Sequence, residues 1–464
     1  NWDNVSRFPR SVNENSYIAQ VHASNFNASE AFAVVNDYRR GDWTPIVLHT
    51  NDYGRRWRNI LEDSEVEGYA LSFVQDLVEP NLMFVGTEFG LFVTIDGGDS
   101  WTKWTNEYPT VPTYDMVIHP REHDLVIATF GRSFWVMDDI RPLRELASNG
   151  VDELEKGIKA FSTPDAYLAN WRQAMGTRFS ADGMYMGENR GFGAMLSYSV
   201  NKELVEGTGE DKEEKDVKIE VFTEDGTKLR TLQTTPDETG INRTSWNLDR
   251  AGVRSPNRRA PRPGASEPGG ASVLPGIYKV KFTYGDYSDS TMVTVHPDPR
   301  IESSLEALQA SSDFMDQIMD LRTYLNDAVT LLRDARSIVE VNETLVKNDP
   351  REEKTDLTEL NKSTKESIDD LMDMIFGKVD ERQGITSDPT ITVLERLFAP
   401  MRYLGGDLDG PGATEENLYR LAEEAVDAAV SEVNSFIQAE WSEYQTVMEE
   451  ADLSPFKEMN AIEK

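Results

Sequence analysis

Cysteine is absent from all 464 residues. Disulfides, thiolate metal sites and cysteine nucleophiles are thereby excluded together. Histidine is scarce: the five are His22, His49, His119, His123 and His296. His119 and His123 are four apart, but Pro120 lies between them and argues against a helix that would aim both rings at one metal ion. No apolar run approaches the roughly 20 residues that an α-helix needs to span a bilayer, so no direct membrane span is expected. Positive charge is in short supply, with 47 Lys and Arg against 82 Asp and Glu and a net charge of −35. Such a surface repels phosphate backbones, so no nucleic acid is expected as a partner. Neither a Gly-rich phosphate loop nor a Gly-x-Ser-x-Gly elbow is present, and no cofactor is implied.

What is present is a repeat. Thr50-Asn51-Asp52-Tyr53-Gly54-Arg55-Arg56-Trp57 and Thr94-Ile95-Asp96-Gly97-Gly98-Asp99-Ser100-Trp101 share Ser/Thr-x-Asp-x-Gly-x-x-Trp, the Asp-box, with Asp52 and Asp96 44 residues apart. That period matches one propeller blade of about 40–45 residues. The chemistry of the pattern is structural: the carboxylate accepts turn N–H groups, the glycine takes a backbone conformation costly to other residues, and the tryptophan covers the hairpin. A degenerate third copy follows, with Asp138 in the place of Asp96, Ile140 in that of the glycine and Leu143 in that of Trp101. Short apolar runs between turn signals such as Glu79-Pro80-Asn81 and His119-Pro120-Arg121 predict antiparallel strands. Residues 1–145 thus read as about three blades. Trp2 resembles the tryptophan that ends a box, which places the start of the chain inside a further blade. Propellers close with roughly four to eight blades, so the remaining blades are expected from upstream sequence or another chain.

Beyond the repeat, residues 146–190 read as a connector packing back on the propeller through Phe161 and Tyr167. Strand signals resume over 191–298, including the alternating Val217-Lys218-Ile219-Glu220-Val221-Phe222, and about seven short strands there predict an immunoglobulin-like sandwich. An insertion at 251–275 gathers Arg254, Arg258, Arg259 and Arg262 among Pro, Gly and Ser. It reads as a flexible loop, or else as a docking strip for the protein's own acidic surface or for a partner. From 299 to 464 apolar residues recur at three- and four-residue steps, predicting an antiparallel helical bundle. Its helices are expected from about Leu305, around 355–376, around 389–404, and from Thr414 to about Met448. Asp407-Leu408-Asp409-Gly410 reads as a turn. The fold class is therefore multidomain, mainly β and then α: partial propeller, sandwich, bundle.

This order of parts resembles a bacterial family labelled BNR-repeat glycosyl hydrolase or sortilin N-terminal proteins, common in Bacteroidota. The residues that carry the resemblance are the two boxes, Gly131-Arg132-Ser133-Phe134-Trp135 with Asp138-Asp139, and Pro275-Gly276-Ile277-Tyr278. It implies a FlgD-type module for the sandwich, a secretion signal with more blades before this point, and an extracytoplasmic location. The glycosyl hydrolase label derives largely from the Asp-box.

The blades contain no constellation that marks a catalytic site. Arg39, Arg40, Arg55, Arg56, Arg58, Arg121 and Arg132 lack the spacing of a carboxylate-gripping triad, and Asp138 and Asp139, being adjacent, point to opposite faces of a strand. Arg132 and Trp135 are the residues expected to face a ligand at a propeller's mouth, pairing of Arg132 with a blade carboxylate being the competing expectation. The functional expectation is an interaction protein binding protein, peptide or glycan as part of a larger chain or assembly. The alternative is a glycoside hydrolase whose catalytic residues lie mostly in absent blades.

Overall fold

The computed structural model describes residues 7–62, 64–169, 190–207, 214–349, 355–378, 390–404 and 410–453. Trp2, the Gly- and Met-rich stretch 177–189 and Asp407 to Asp409 lie outside them. The first part is three antiparallel sheets in series. Strands β1 (Tyr17–Ala23), β2 (Ala31–Asp37), β3 (Asp42–Thr50) and β4 (Arg58–Asn59) form one meander, and β5 (Ala70–Gln75), β6 (Met83–Thr87), β7 (Gly90–Thr94) and β8 (Thr102–Trp104) the next. The third sheet has β9 (Thr113–Ile118), β10 (Leu125–Thr129) and β11 (Phe134–Met137).

The sheets stack face to face. Phe32, Val34 and Val47 of the first share a core with Phe73, Val85 and Phe92 of the second. Phe84, Leu91 and Val93 of the second share another with Met116, Ile118, Leu125 and Ile127 of the third. The middle sheet is covered on both sides, so β5, β6 and β7 are buried at every position, as strands between two layers are. Sheets two and three meet so closely that a Cβ on Gly86 would lie 2.5 Å from the Thr113 carbonyl oxygen. The Ser72 hydroxyl donates to that same oxygen at 3.0 Å. Among the described residues the third sheet is covered on one side only, and Val117, Phe134 and Val136 stand exposed on the other.

After β11 the chain does not make a fourth strand. Ile140, at the glycine position of the box pattern, is buried, and the chain enters helix α1 (Arg141–Asn149) with Pro142 in its first turn. Proline suits that position because its missing N–H has no helical partner there anyway.

The second part contains β12 (Ile158–Ala160), β13 (Ala166–Leu168), β14 (Ala194–Val200), helix α2 (Lys202–Glu206), β15 (Val217–Phe222), β16 (Lys228–Thr234), β17 (Gly240–Trp246), β18 (Asp249–Ala251), β19 (Gly269–Ser272), β20 (Gly276–Tyr284) and β21 (Tyr287–Pro297). Sheets β12-β14-β17 and β13-β21-β20-β15-β16 close over one core that includes Tyr198, Trp246, Phe282 and Tyr284. The connector expected over 146–190 is therefore corrected. β12 pairs with β14, and β13 runs parallel to β21 with Ala166 opposite Val295. Phe161 is fully buried with its N–H on Ser197 O, so it anchors this unit and not the first sheets. Tyr167 packs on His296 with ring centroids 5.3 Å apart.

The last part is helical: α3 (Leu305–Asn348), α4 (Thr355–Phe376), α5 (Val393–Leu404) and α6 (Ala413–Phe436), which continues through a π-helical turn (Ile437–Trp441) into α7 (Ser442–Glu450). Ser304 caps α3 by accepting the Ala307 N–H at 3.0 Å. Thr392 and Glu395 cap α5 reciprocally, which satisfies two donors the first turn leaves free. Val329, Ile368, Leu397, Val426 and Tyr444 meet in the common core.

The insertion at 251–275 is not a free loop. Arg258 donates at 2.7 Å to both Asp373 Oδ1 and Gly377 O, and its guanidinium lies 5.3 Å from the centre of the Phe376 ring. From α3, Arg322 donates to Val253 O at 3.1 Å and Arg333 to Arg259 O at 3.1 Å. The expected flexibility gives way to the docking alternative, because an arginine fork can meet a carboxylate and a helix-end carbonyl together.

Candidate functional site

In an antiparallel meander the hairpin between second and third strands falls at the end where the first strand begins. The hairpin between third and fourth strands falls at the opposite end. In the three stacked sheets, residues 38–41, 88–89 and 130–133 therefore share one rim with Tyr17, Tyr69 and Tyr114, and both box turns lie at the other.

The rim is aromatic. Tyr38 stacks on Tyr69 at 4.4 Å, Trp43 lies 5.6 Å from Tyr69, and Tyr114 lies 5.7 Å from Phe130. Tyr69 links these groups. Burial pushes its hydroxyl's pKa up, and Glu88, Tyr114 and Tyr38 each add to the rise through their proximity. Around it the row is open: Trp43 is 54% exposed and Phe130 71%. The third hairpin is rigid, since Gly131 (φ 96°) and Ser133 (φ 60°) both take left-handed backbone. Thr129 donates to Ser133 O from both its N–H and its hydroxyl, at 3.1 and 2.6 Å.

Arg132 stands on this rim, exposed, with one hydrogen bond to Gly131 O at 3.5 Å. The expected pairing with a blade carboxylate is absent among the described residues. Trp135 does not face outward, which corrects the expectation for it. It is half-buried against the core of sheets two and three, edge-on to Tyr108 at 5.7 Å, with its indole N–H on Arg132 O at 3.1 Å. Alternation along β11 sends Phe134 and Val136 out instead. Arg39 occupies the corresponding hairpin of the first sheet. Its guanidinium lies 5.8 Å from the Tyr17 ring centre and 5.6 Å from that of Tyr38.

At the opposite end the two box turns repeat one hydrogen-bond pattern. Thr50 Oγ1 accepts the Gly54 N–H at 3.0 Å, and Asp52 Oδ1 accepts the Arg56 N–H at 2.9 Å. Thr94 Oγ1 accepts the Gly98 N–H at 3.0 Å, and Asp96 Oδ1 accepts the Ser100 N–H at 2.9 Å. Gly54 and Gly98 take positive φ, 77° and 95°. Trp101 is buried against Ile60, whereas Trp57 is half-buried and meets Phe8 edge-on at 5.7 Å. Asp138 holds no such turn. Burial, and next Asp124, push its carboxyl up.

The Arg56 guanidinium, with its backbone N–H, lowers the Asp52 carboxyl from 3.8 to about 2. A carboxyl depressed in the folded state stabilises fully above its unfolded value, near pH 4, and loses that contribution as pH falls through the folded value. A carboxyl-carbon NMR titration of Asp52 is expected to give a midpoint near 2, and Arg56→Ala to move it toward 3.8. A midpoint indifferent to that substitution removes Arg56 as the cause.

A buried polar knot joins the sheets to helix α1 and to the second β unit. Arg144 of α1 donates to Asp76 through Nε and Nη2 at 2.8 and 2.7 Å, and its Nη1 meets His123 Nδ1 at 2.8 Å. Asp139 is held by Arg141 at 2.6 Å, and Arg243 of β17 donates to its carbonyl at 2.6 Å. These carboxylates are committed to arginines within the fold. Among the described residues no group of three His, Asp or Glu is arranged to hold a metal ion. Two concavities lie in the second part of the chain, one lined by Thr223, Asp225 and Ile277 and one between Arg250, Tyr278 and Asp316.

Two solved structures resemble part of the chain. One is an ancestral GH74 enzyme, 16% identical over 25% of this chain and 14% of its own, with a TM-score of 0.21. The other is the GH74 xyloglucanase from Xanthomonas campestris, 11% identical over 64% of this chain and 40% of its own, with a TM-score of 0.22. The chain spans less than half the length of either, and a likeness this slight fixes neither fold nor activity. No protein-family profile and no curated protein matches the sequence.

Proposed function

We propose that the three stacked sheets are blades of an Asp-box β-propeller and that their aromatic rim binds a glycan. The observation that carries this is the row Tyr38, Tyr69, Trp43, Tyr114 and Phe130 along one rim of three successive sheets. Contiguous exposed apolar surface marks a binding site. The exposed rings of Trp43, Tyr114 and Phe130, backed by the stacked pair Tyr38 and Tyr69, suit the C–H faces of successive sugars better than the single deep pocket that holds a compact ligand. The tyrosine hydroxyls and Glu88 supply polar partners for sugar hydroxyls.

The blade reading also accounts for the bare side of the third sheet. Val117, Val126 and Val136 lie opposite one another across β9, β10 and β11, as the buried faces between the other sheets do. A further blade, from the same precursor or from another chain, packs there. The second unit is then an immunoglobulin-like, FlgD-type sandwich, the helices are a scaffold or docking element, and the protein works outside the cytoplasm.

The test is glycan binding by calorimetry or on an array, with Trp43→Ala and Tyr114→Ala. Each is expected to weaken binding about tenfold or more, roughly 1.4 kcal/mol, with the circular dichroism spectrum unchanged. Binding indifferent to both substitutions sinks the rim reading. Turnover of the glycan that a single carboxylate substitution abolishes would replace it with a glycoside hydrolase.

A further inference from the structure

We infer that the ligand of this rim is an anionic glycan, with carboxylate or sulfate groups received by Arg39 and Arg132. The inference rests on the glycan-binding reading above and names the ligand's chemistry.

Its basis is where two unpaired arginines stand. In the first three sheets and the turn after them Arg40 pairs with Asp37, Arg56 with Asp52, Arg121 with Glu122, Arg141 with Asp139 and Arg144 with Asp76. Arg7, Arg10, Arg55 and Arg58 form no ion pair with a described residue, but they stand away from the aromatic row. Arg39 and Arg132 form none with a described residue either, and they stand on it. Both are exposed, and both sit in the hairpin between second and third strands of their sheets, at the two ends of the aromatic row.

Arg39 is also pre-set. Its guanidinium lies over Tyr17 and Tyr38, and Nε donates to the Tyr38 hydroxyl at 3.2 Å. That leaves the paired Nη groups to meet an oxyanion. A flat guanidinium fork matches two oxygens of a carboxylate or sulfate at once, and charge-assisted bonds of that kind are about twice as strong as neutral ones. Arg132 is placed by its rigid hairpin, with Trp135 bonded to its carbonyl from below.

The middle sheet differs. At its corresponding hairpin stands Glu88, beside Tyr69. A carboxylate there accepts sugar hydroxyls and repels an acid group. The row therefore fits a chain with acidic groups at intervals and not on every sugar. The net charge of −35 opposes polyanions at long range, but at physiological salt that repulsion is screened beyond about 8 Å. Recognition must then come from the two short-range forks, so losing them is decisive.

The experiment compares three oligosaccharides of one length: a neutral backbone, its carboxylated form and its sulfated form, titrated against the full chain. One anionic form is expected to bind tenfold or more tighter than the neutral one, and which of the two does so identifies the acid group. Arg39→Gln with Arg132→Gln is expected to erase that preference, the three affinities becoming equal, and Arg39→Lys to restore only part of it. Equal affinity for all three sugars, abolished by Trp43→Ala, overturns the anionic ligand and leaves the rim reading intact. Binding to none of them overturns both. An anionic preference that survives the double arginine substitution overturns the assignment to Arg39 and Arg132.

Discussion

Arg144→Met is expected to destabilise the stacked sheets by about 3–5 kcal/mol, the usual cost of removing one partner from a buried ion pair. Asp76 is fully buried, and Arg144 is 9% exposed by side chain. The carboxylate also accepts the Val78 and Glu79 N–H groups at 2.8 Å each. Those two bonds do not replace the lost guanidinium charge. The damage also spreads, because Arg144 lies on α1 and binds His123 from the turn before β10, so one side chain ties the second sheet to the third. Chemical denaturation followed by tryptophan fluorescence measures the loss in the first transition. Asp76→Leu added to Arg144→Met is expected to recover much of it, since an apolar pair of similar volume is often no worse than the ions it replaces. A single-substitution cost under about 1 kcal/mol would contradict the buried-pair account.

Trp101→Ala is expected to cost about 3–5 kcal/mol as well, the range for truncating a buried tryptophan. Trp101 is 7% exposed, shares a core with Val85, Phe92 and Phe73, and donates its indole N–H to Ile60 O at 3.3 Å. Ile60 directly follows the last strand of the first sheet, so this tryptophan closes its own hairpin and seals the seam to the sheet before it. Trp57 holds the same place in the first box but is only half-buried, against Phe8, Ala33 and Val35. Trp57→Ala should therefore cost distinctly less. The two substitutions, compared by thermal melting under one condition, separate a tryptophan between sheets from one on an outer face. Equal losses would show that the box position sets the cost and the neighbouring sheet does not.

The parts of the fold most legible in the sequence were those whose signals are local. Turn chemistry gave the two box hairpins, since each is closed by hydrogen bonds within five residues. Periodicity gave α4, whose bounds are Thr355–Phe376. Non-local pairing hid the rest. β12 and β13 are three residues long, too short to show alternation, and the partner of Ala166 is Val295. The insertion looked loose because Pro, Gly and Ser carry no periodicity, while what fixes Arg258 lies on α4 and just beyond its end. At the candidate site Arg132 was visible as a strand-edge arginine, whereas the aromatic row was not. Tyr38, Tyr69 and Tyr114 fall at different phases of the repeat and become neighbours only when sheets stack. A search for aromatic residues next to each sheet's second strand would have found Tyr38 and Phe130, since both directly follow one.

Helix α3 is 44 residues long, about 66 Å at 1.5 Å per residue. The second β unit grips it at Asp316, Arg322 and Arg333 through Arg250 and residues 253–259, a span of about 25 Å by the same rise. Its far end carries Asn342, which bonds the Tyr444 hydroxyl, itself bonded to Asn361. The grip thus covers more than a third of the rod rather than a single point. The helices packed on the rod are thereby tied to the second β unit through it.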